Sequence, residues 1–316
     1  MERDRRAGRR RLPRGLRVLA LAAACTALAA GPGSGSAAAR LPVHYSAVHA
    51  GAYALAHPGA APPGANNWRC KPSAAHPRPV VLVHGTFANM TENWTALSPL
   101  LRNHGYCVFA LDYGANAYSH GFVYGLAHVA KSAGRLRTFV ARVLSATGAR
   151  RVDLVGHSQG GMMPRYYLRF LGGAAKVHAL VGLAPSNHGT TLGALGTLAR
   201  LWPGVTRTVV GSWCQSCTDQ LRGSALLRKL NAGHEVEAGV SYTVIETRHD
   251  EVVTPYTSAW LSGARNVLLQ SGCVLDASDH ISVAFDRRAL RDVLNALDPA
   301  HAVKAPCVVV LPGVGG

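Results

Sequence analysis

The sequence predicts an α/β fold, built on a mostly parallel central sheet with helices on both faces. Three observations carry that prediction. Short, continuously apolar runs alternate with longer stretches of helical spacing, as expected when a sheet is buried on both sides. No internal repeat breaks the alternation. The chain has 316 residues and is 48% apolar, enough for one large core or two small ones.

Residues 1–39 stand apart. Met1 to Arg17 holds eight Arg against Glu2 and Asp4, Val18 to Ala30 is small and apolar, and a Gly/Ser/Ala stretch follows. That order is the plan of a secretory signal peptide, with Ala37-Ala38-Ala39 or Ala27-Leu28-Ala29 as the cleavage site. The apolar run is too short for a membrane span. The protein is therefore expected to be secreted. Residues 40–77, rich in Ala, Pro and Gly, read as an extended lead-in, and residues 78–316 as the α/β domain proper.

Within that domain Val80-Val81-Leu82-Val83 is a buried strand ending at His84-Gly85. Asn93 to Asn103 has helical spacing, Tyr106 to Leu111 is the second strand, and Gly125 to Thr147 is mostly helix. Arg151 to Val155 is the third strand and Met162 to Leu171 the helix behind it. Val177 to Leu183, Tyr242 to Glu246 and Asn266 to Gln270 complete the strands, and Arg287 to Leu297 closes the chain as a helix. No strand pattern occurs between Ser186 and Val240, so residues 186–240 read as an insertion over the sheet. It contains the apolar LGALGTLARLWPGV and is a candidate lid or pocket wall over the sheet.

Charge excludes one class of function. The formal net charge of +17 falls to +11 without the leader, whose eight Arg and two acids are lost. The remaining cations are scattered, with no basic run and no interleaved aromatics, so no nucleic-acid partner is expected. Six Cys remain beyond Cys25 of the leader, and an even count in an exported chain implies disulfides, with the pairing open. Cys214-Gln-Ser-Cys217 lacks the second Cys pair of a zinc site and the strand of a redox site, so it reads as a staple.

Ligands of such sheets sit beyond the carboxyl ends of the strands. After the third strand stands Gly156-His157-Ser158-Gln159-Gly160, a G-x-S-x-G between strand and helix. Gly156 and Gly160 give clearance for a strained turn that lifts the Ser158 hydroxyl onto a helix N-terminus. A serine hydroxyl needs a base, and the base an orienting acid. Asp250 lies just past the strand Tyr242 to Glu246; Glu246 is still within that strand, and Glu251 is expected to point elsewhere. His280 follows the last strand, in the chain order serine, acid, histidine that this elbow uses. Among other histidines, His249 should face away, His188 is placed to line the pocket, His157 to pack beneath the turn, and His84 to brace its loop. Oxyanion donors are expected from the amides of Gln159 and Thr86, with Phe87 in reserve.

Taken together, VVLVHGTFAN, VDLVGHSQGGM, APSNHGT, TRHDEVVTPY and SDHISVAFD resemble the secreted class 2 triacylglycerol lipases and esterases of the actinobacterial type, over about Trp68 to Pro306. The resemblance implies an α/β-hydrolase fold and hydrolysis of lipid carboxylic esters, with Ser158, Asp250 and His280 as triad. It also implies the pairings Cys70–Cys107, Cys214–Cys217 and Cys273–Cys307. An ester substrate is expected, met at a lipid–water interface if the insertion is a lid, with no cofactor and no stable protein partner. No acidic cluster matches the calcium sites of related lipases, so no metal is expected. Acyl transfer and polyester hydrolysis would use the same residues; a non-catalytic binding protein would not need an intact triad.

Overall fold

The computed structural model describes residues 39–191 and 213–316. Six strands form one wholly parallel sheet in the order β2-β1-β3-β4-β5-β6. They are β1 (Val80–Val83), β2 (Val108–Leu111), β3 (Val152–His157), β4 (Val177–Leu183), β5 (Ser241–Glu246) and β6 (Arg265–Leu268). Every residue of β1, β2 and β3 is buried, which is why these segments read as unbroken apolar runs rather than alternating ones. This is an α/β-hydrolase architecture.

Helices cover both faces. One core joins α4 (Val129–Thr147) and α5 (Gln159–Phe170) to the sheet through Leu136, Val140, Met162 and Leu168. The other face packs Trp94, Leu97 and Leu101 of the β1–β2 crossover, and Leu290 and Val293 of the closing helix Arg287–Leu297, against Leu82, Val155 and Ile245. The helical stretch expected from Asn93 to Asn103 is two short helices, α2 (Met90–Asn93) and α3 (Leu97–Asn103), with the fully buried Trp94 between them. The extended reading of residues 40–77 also needs correction. Ala47–Ala56 form α1, started by the Ser46 hydroxyl, which accepts from the His49 amide at 3.3 Å. The Ala-rich AVHAGAYALA favours helix once that cap is in place.

The insertion contributes α6 (Gln215–Asp219) and α7 (Ala225–Asn231). The stretch LGALGTLARLWPGV and the leader lie outside the described residues. Counting α1 to α7, the closing helix Arg287–Leu297 is α8. Three disulfides join Cys70 to Cys107, Cys214 to Cys217 and Cys273 to Cys307.

Candidate active site

At the carboxyl end of β3 the chain turns into α5 within one residue. Ser158 takes φ +55° and ψ −122°, a conformation that costs on the order of 1–3 kcal/mol for a residue with a side chain. The turn leaves no room beside it. A Cβ on Gly156 would run into the Gly160 carbonyl oxygen, and one on Gly160 into the carbonyl oxygens of Val83 and His84. Glycine at both positions lets α5 close against β1 and β3, and the strain then holds Ser158 at the helix N-terminus.

Two later loops meet this turn. His280 Nε2 lies 2.9 Å from Ser158 Oγ, and His280 Nδ1 lies 2.8 Å from Asp250 Oδ2. Asp250 Oδ1 accepts the amides of Val252 and Val253 at 2.8 and 2.7 Å, so the carboxylate is fixed by its own turn. Ser158, Asp250 and His280 are 4%, 6% and 0% exposed. Burial alone would lower the His280 pKa. The charge and hydrogen bond of Asp250, with Glu251 and Asp279, outweigh it and raise the value above that of a free histidine.

The residues around this chain divide into supports and bystanders. His157 packs beneath the turn: its Nε2 donates to the His280 carbonyl at 2.8 Å, and burial followed by the His280 charge pushes its pKa down to about 3. His84 braces its loop through the Gly85 carbonyl at 2.8 Å. His188, placed by the sequence to line the pocket, pairs through Nε2 with Glu235 at 2.6 Å and through Nδ1 with the Ser258 carbonyl at 3.1 Å. Glu251, expected to point elsewhere, instead accepts the His280 amide at 3.2 Å. Glu246, at the end of β5, is fully buried beside Asp250. Burial first, and the Asp250 charge second, raise its pKa well above the ordinary carboxylate value.

The amides of Thr86 and Gln159 have no hydrogen-bond partner among the described residues. The Phe87 amide, held in reserve at the sequence level, is occupied: it donates to the Tyr124 carbonyl at 3.0 Å. Side chains lock the two free amides relative to each other. Thr86 Oγ1 donates to Gln159 Oε1 at 2.7 Å and accepts from Gln220 Nε2 at 2.9 Å, while Ser186 Oγ donates to Gln220 Oε1 at 2.8 Å. Ser186 lies within the APSNHGT stretch just past β4, whereas Gln220 carries no local motif and joins the site only through its bonds to Thr86 and Ser186. Such an arrangement can take a proton from Ser158, hold the resulting imidazolium, and face two N–H groups toward an oxyanion.

Comparison with known proteins gives a consistent answer. Residues 77–288 match the family model described as Lipase (class 2). Two curated relatives, both named triacylglycerol lipase, are 36% identical over 105 residues. One is from Pseudarthrobacter phenanthrenivorans (29% of this chain, 28% of the relative) and one from Burkholderia plantarii (29% and 25%). The matched stretch thus spans about a quarter of the length of those relatives. Among solved structures, Aspergillus fumigatus lipase B superposes with TM-score 0.54 at 20% identity, covering 78% of this chain and 57% of that one. Mature Bacillus licheniformis lipase BlEst2 gives 0.53 at 16%, covering 73% and 94%, so the likeness is one of fold.

Proposed function

The chain belongs to the class 2 lipase family, and from that premise we propose that it is a secreted serine hydrolase cleaving carboxylic esters of lipids through an acyl-enzyme. The observation that carries the reading is the buried hydrogen-bonded chain from Ser158 through His280 to Asp250, faced by two unpartnered amides. His280 Nε2 takes the Ser158 proton as Oγ attacks the ester carbonyl. The amides of Thr86 and Gln159 hold the oxyanion. His280 then returns the proton to the departing alcohol, and Asp250 holds the imidazole in the tautomer with Nδ1–H. Water reverses these steps to release the acid.

Three disulfides in the described chain support export to an oxidising compartment. Among the described residues no helix is long and apolar enough to cross a membrane. The insertion at residues 186–240 is read as a lid or acyl-pocket wall. Rates that rise on emulsified triglyceride over dissolved short esters would support the lid, and equal rates would argue against it.

The direct test is labelling by a fluorophosphonate, with release of p-nitrophenol from p-nitrophenyl butyrate. Ser158→Ala should abolish labelling and lower kcat by on the order of a thousandfold or more. Folded wild-type protein that neither labels nor turns over would sink the proposal.

A further inference from the structure

Beside Ser158 and His280 lies a small cavity, walled also by Thr86, Ala88, Glu92 and Phe285. The space open to the centre of a water molecule is about 10 Å³, which is room for one water. Ala88 and Phe285 make part of its wall apolar, and Glu92 brings a carboxyl to it. Glu92 Oε2 is buried and has no hydrogen-bond partner among the described residues. A buried carboxyl oxygen left without a donor is unfavourable, and a water beside it would offset that cost.

The backbone under Glu92 is rigidly set. Asn89 Oδ1 accepts the Glu92 amide at 2.8 Å, and the Met90 amide donates to Asp112 at 2.7 Å. The next residue, Asn93, accepts the Gly85 amide at 2.9 Å, so the same short helix also holds the loop that carries Thr86. Glu92 thus stands at a fixed place relative to both the nucleophile and the base. Its burial pushes the carboxyl pKa up to about 7, so near neutrality it can meet a water as either donor or acceptor.

We propose that Glu92 and this cavity bind the water that cleaves the acyl-enzyme. The inference rests on the ester-hydrolase reading above. In the step, His280 Nε2 takes one proton of the water as its oxygen bonds to the acyl carbon. The bond to Ser158 Oγ then breaks, and Oγ takes the proton back from His280. The remaining O–H goes out with the acid. Glu92 is a water-binding residue; it exchanges no proton in the balance. An alcohol acceptor larger than water is not held by so small a site, so losing Glu92 shifts the acyl group from water toward alcohols.

The test measures that partition. Enzyme, p-nitrophenyl butyrate and added methanol give butyric acid and methyl butyrate, and their ratio is normalised to each acyl-enzyme formed. Glu92→Leu should raise the ester-to-acid ratio roughly three- to tenfold, the effect of about one lost hydrogen bond. Ala88→Val, which fills the cavity and leaves Glu92 in place, should raise it similarly and stands in if Glu92→Leu fails to fold. Glu92→Gln, which can still bond a water, should stay within about twofold of wild type. Ratios in Glu92→Leu and Ala88→Val within about twofold of wild type would overturn the proposal. If the wild type itself releases no p-nitrophenol, the hydrolase reading falls, and this one with it; if wild type turns over and only the ratio fails to move, this one alone falls.

Discussion

At the scale of single residues, the balance on His280 sets the pH dependence expected of the proposed base. Burial disfavours the imidazolium, and Asp250 more than compensates, so the folded pKa lies above that of an ordinary histidine. Attack requires the neutral base, so kcat/KM should fall as pH drops through a value above about 6.5. Asp250→Asn removes the strongest of the influences that raise the pKa and leaves burial, which lowers it, opposed only by the smaller effects of Glu251 and Asp279. The acid limb should therefore move to lower pH, while kcat falls by on the order of ten thousandfold because the tautomer is no longer enforced. A kcat/KM profile of p-nitrophenyl butyrate from pH 5 to 9 reads both effects; an unmoved limb would mean that Asp250 does not set the His280 pKa. The meeting of Ser158, Asp250 and His280 was legible in the sequence because Ser158 and Asp250 sit just past strands and His280 follows the last one, all in chain order. Gln220 and Glu92 were not. The Gln220 bond to Thr86 spans 134 positions, and nothing local marks either residue as polar for a reason.

At the scale of elements, strands were easier to read than helices, and the structure gives the cause. A strand buried on both faces announces itself by composition, whereas helix boundaries depend on caps that can come from elsewhere. The expected helix at Gly125 starts instead at Val129, whose amide donates to Asp219 Oδ2 at 2.8 Å, from α6 of the insertion. The lead-in hid α1 because Pro and Gly around it dominate the composition. Helix α8 shows a cap with a second consequence. Asp286 Oδ1 accepts the Arg288 amide at 2.7 Å, while burial and then the neighbouring Asp276 push its pKa up to about 8. Between the ordinary carboxylate value and 8, the folded state holds a proton that the unfolded state has lost. Stability must then decline as pH rises across that window. Asp286→Asn keeps a good cap and cannot ionise. Thermal unfolding from pH 5 to 9 should show the wild-type Tm falling more steeply than that of Asp286→Asn; parallel curves would show that Asp286 carries no such linkage.

At the scale of the molecule, the order of the strands could not be read along the chain, because neighbours in the sheet are set by crossovers and not by adjacency in sequence. What the sequence did convey was a mostly parallel sheet; in the structure every pairing is parallel, which collects the strand ends, and with them the Ser158 turn and the Asp250 and His280 loops, at one edge. The disulfides divide two tasks across that plan. Cys70–Cys107 and Cys273–Cys307 close separations of 37 and 34 residues, and each should stabilise the fold by restricting the unfolded chain, by about 4 kcal/mol in the loop-entropy account. Cys214–Cys217 spans only 3 positions, for which the same account gives roughly 2 kcal/mol. Its place is different too: both sulfurs are buried with Phe87, Leu126 and Val252, against the loops that carry Thr86 and Asp250. Replacing a long-range pair with alanines should therefore lower the urea midpoint most. Replacing Cys214 and Cys217 should cost less stability yet lower kcat, because Ser216, between them, donates to the Leu126 carbonyl at 3.0 Å and anchors the insertion there. Urea unfolding and butyrate kinetics on the three double variants separate the two effects. A Cys214/Cys217 variant as unstable as the others, with full activity per folded molecule, would reverse the assignment.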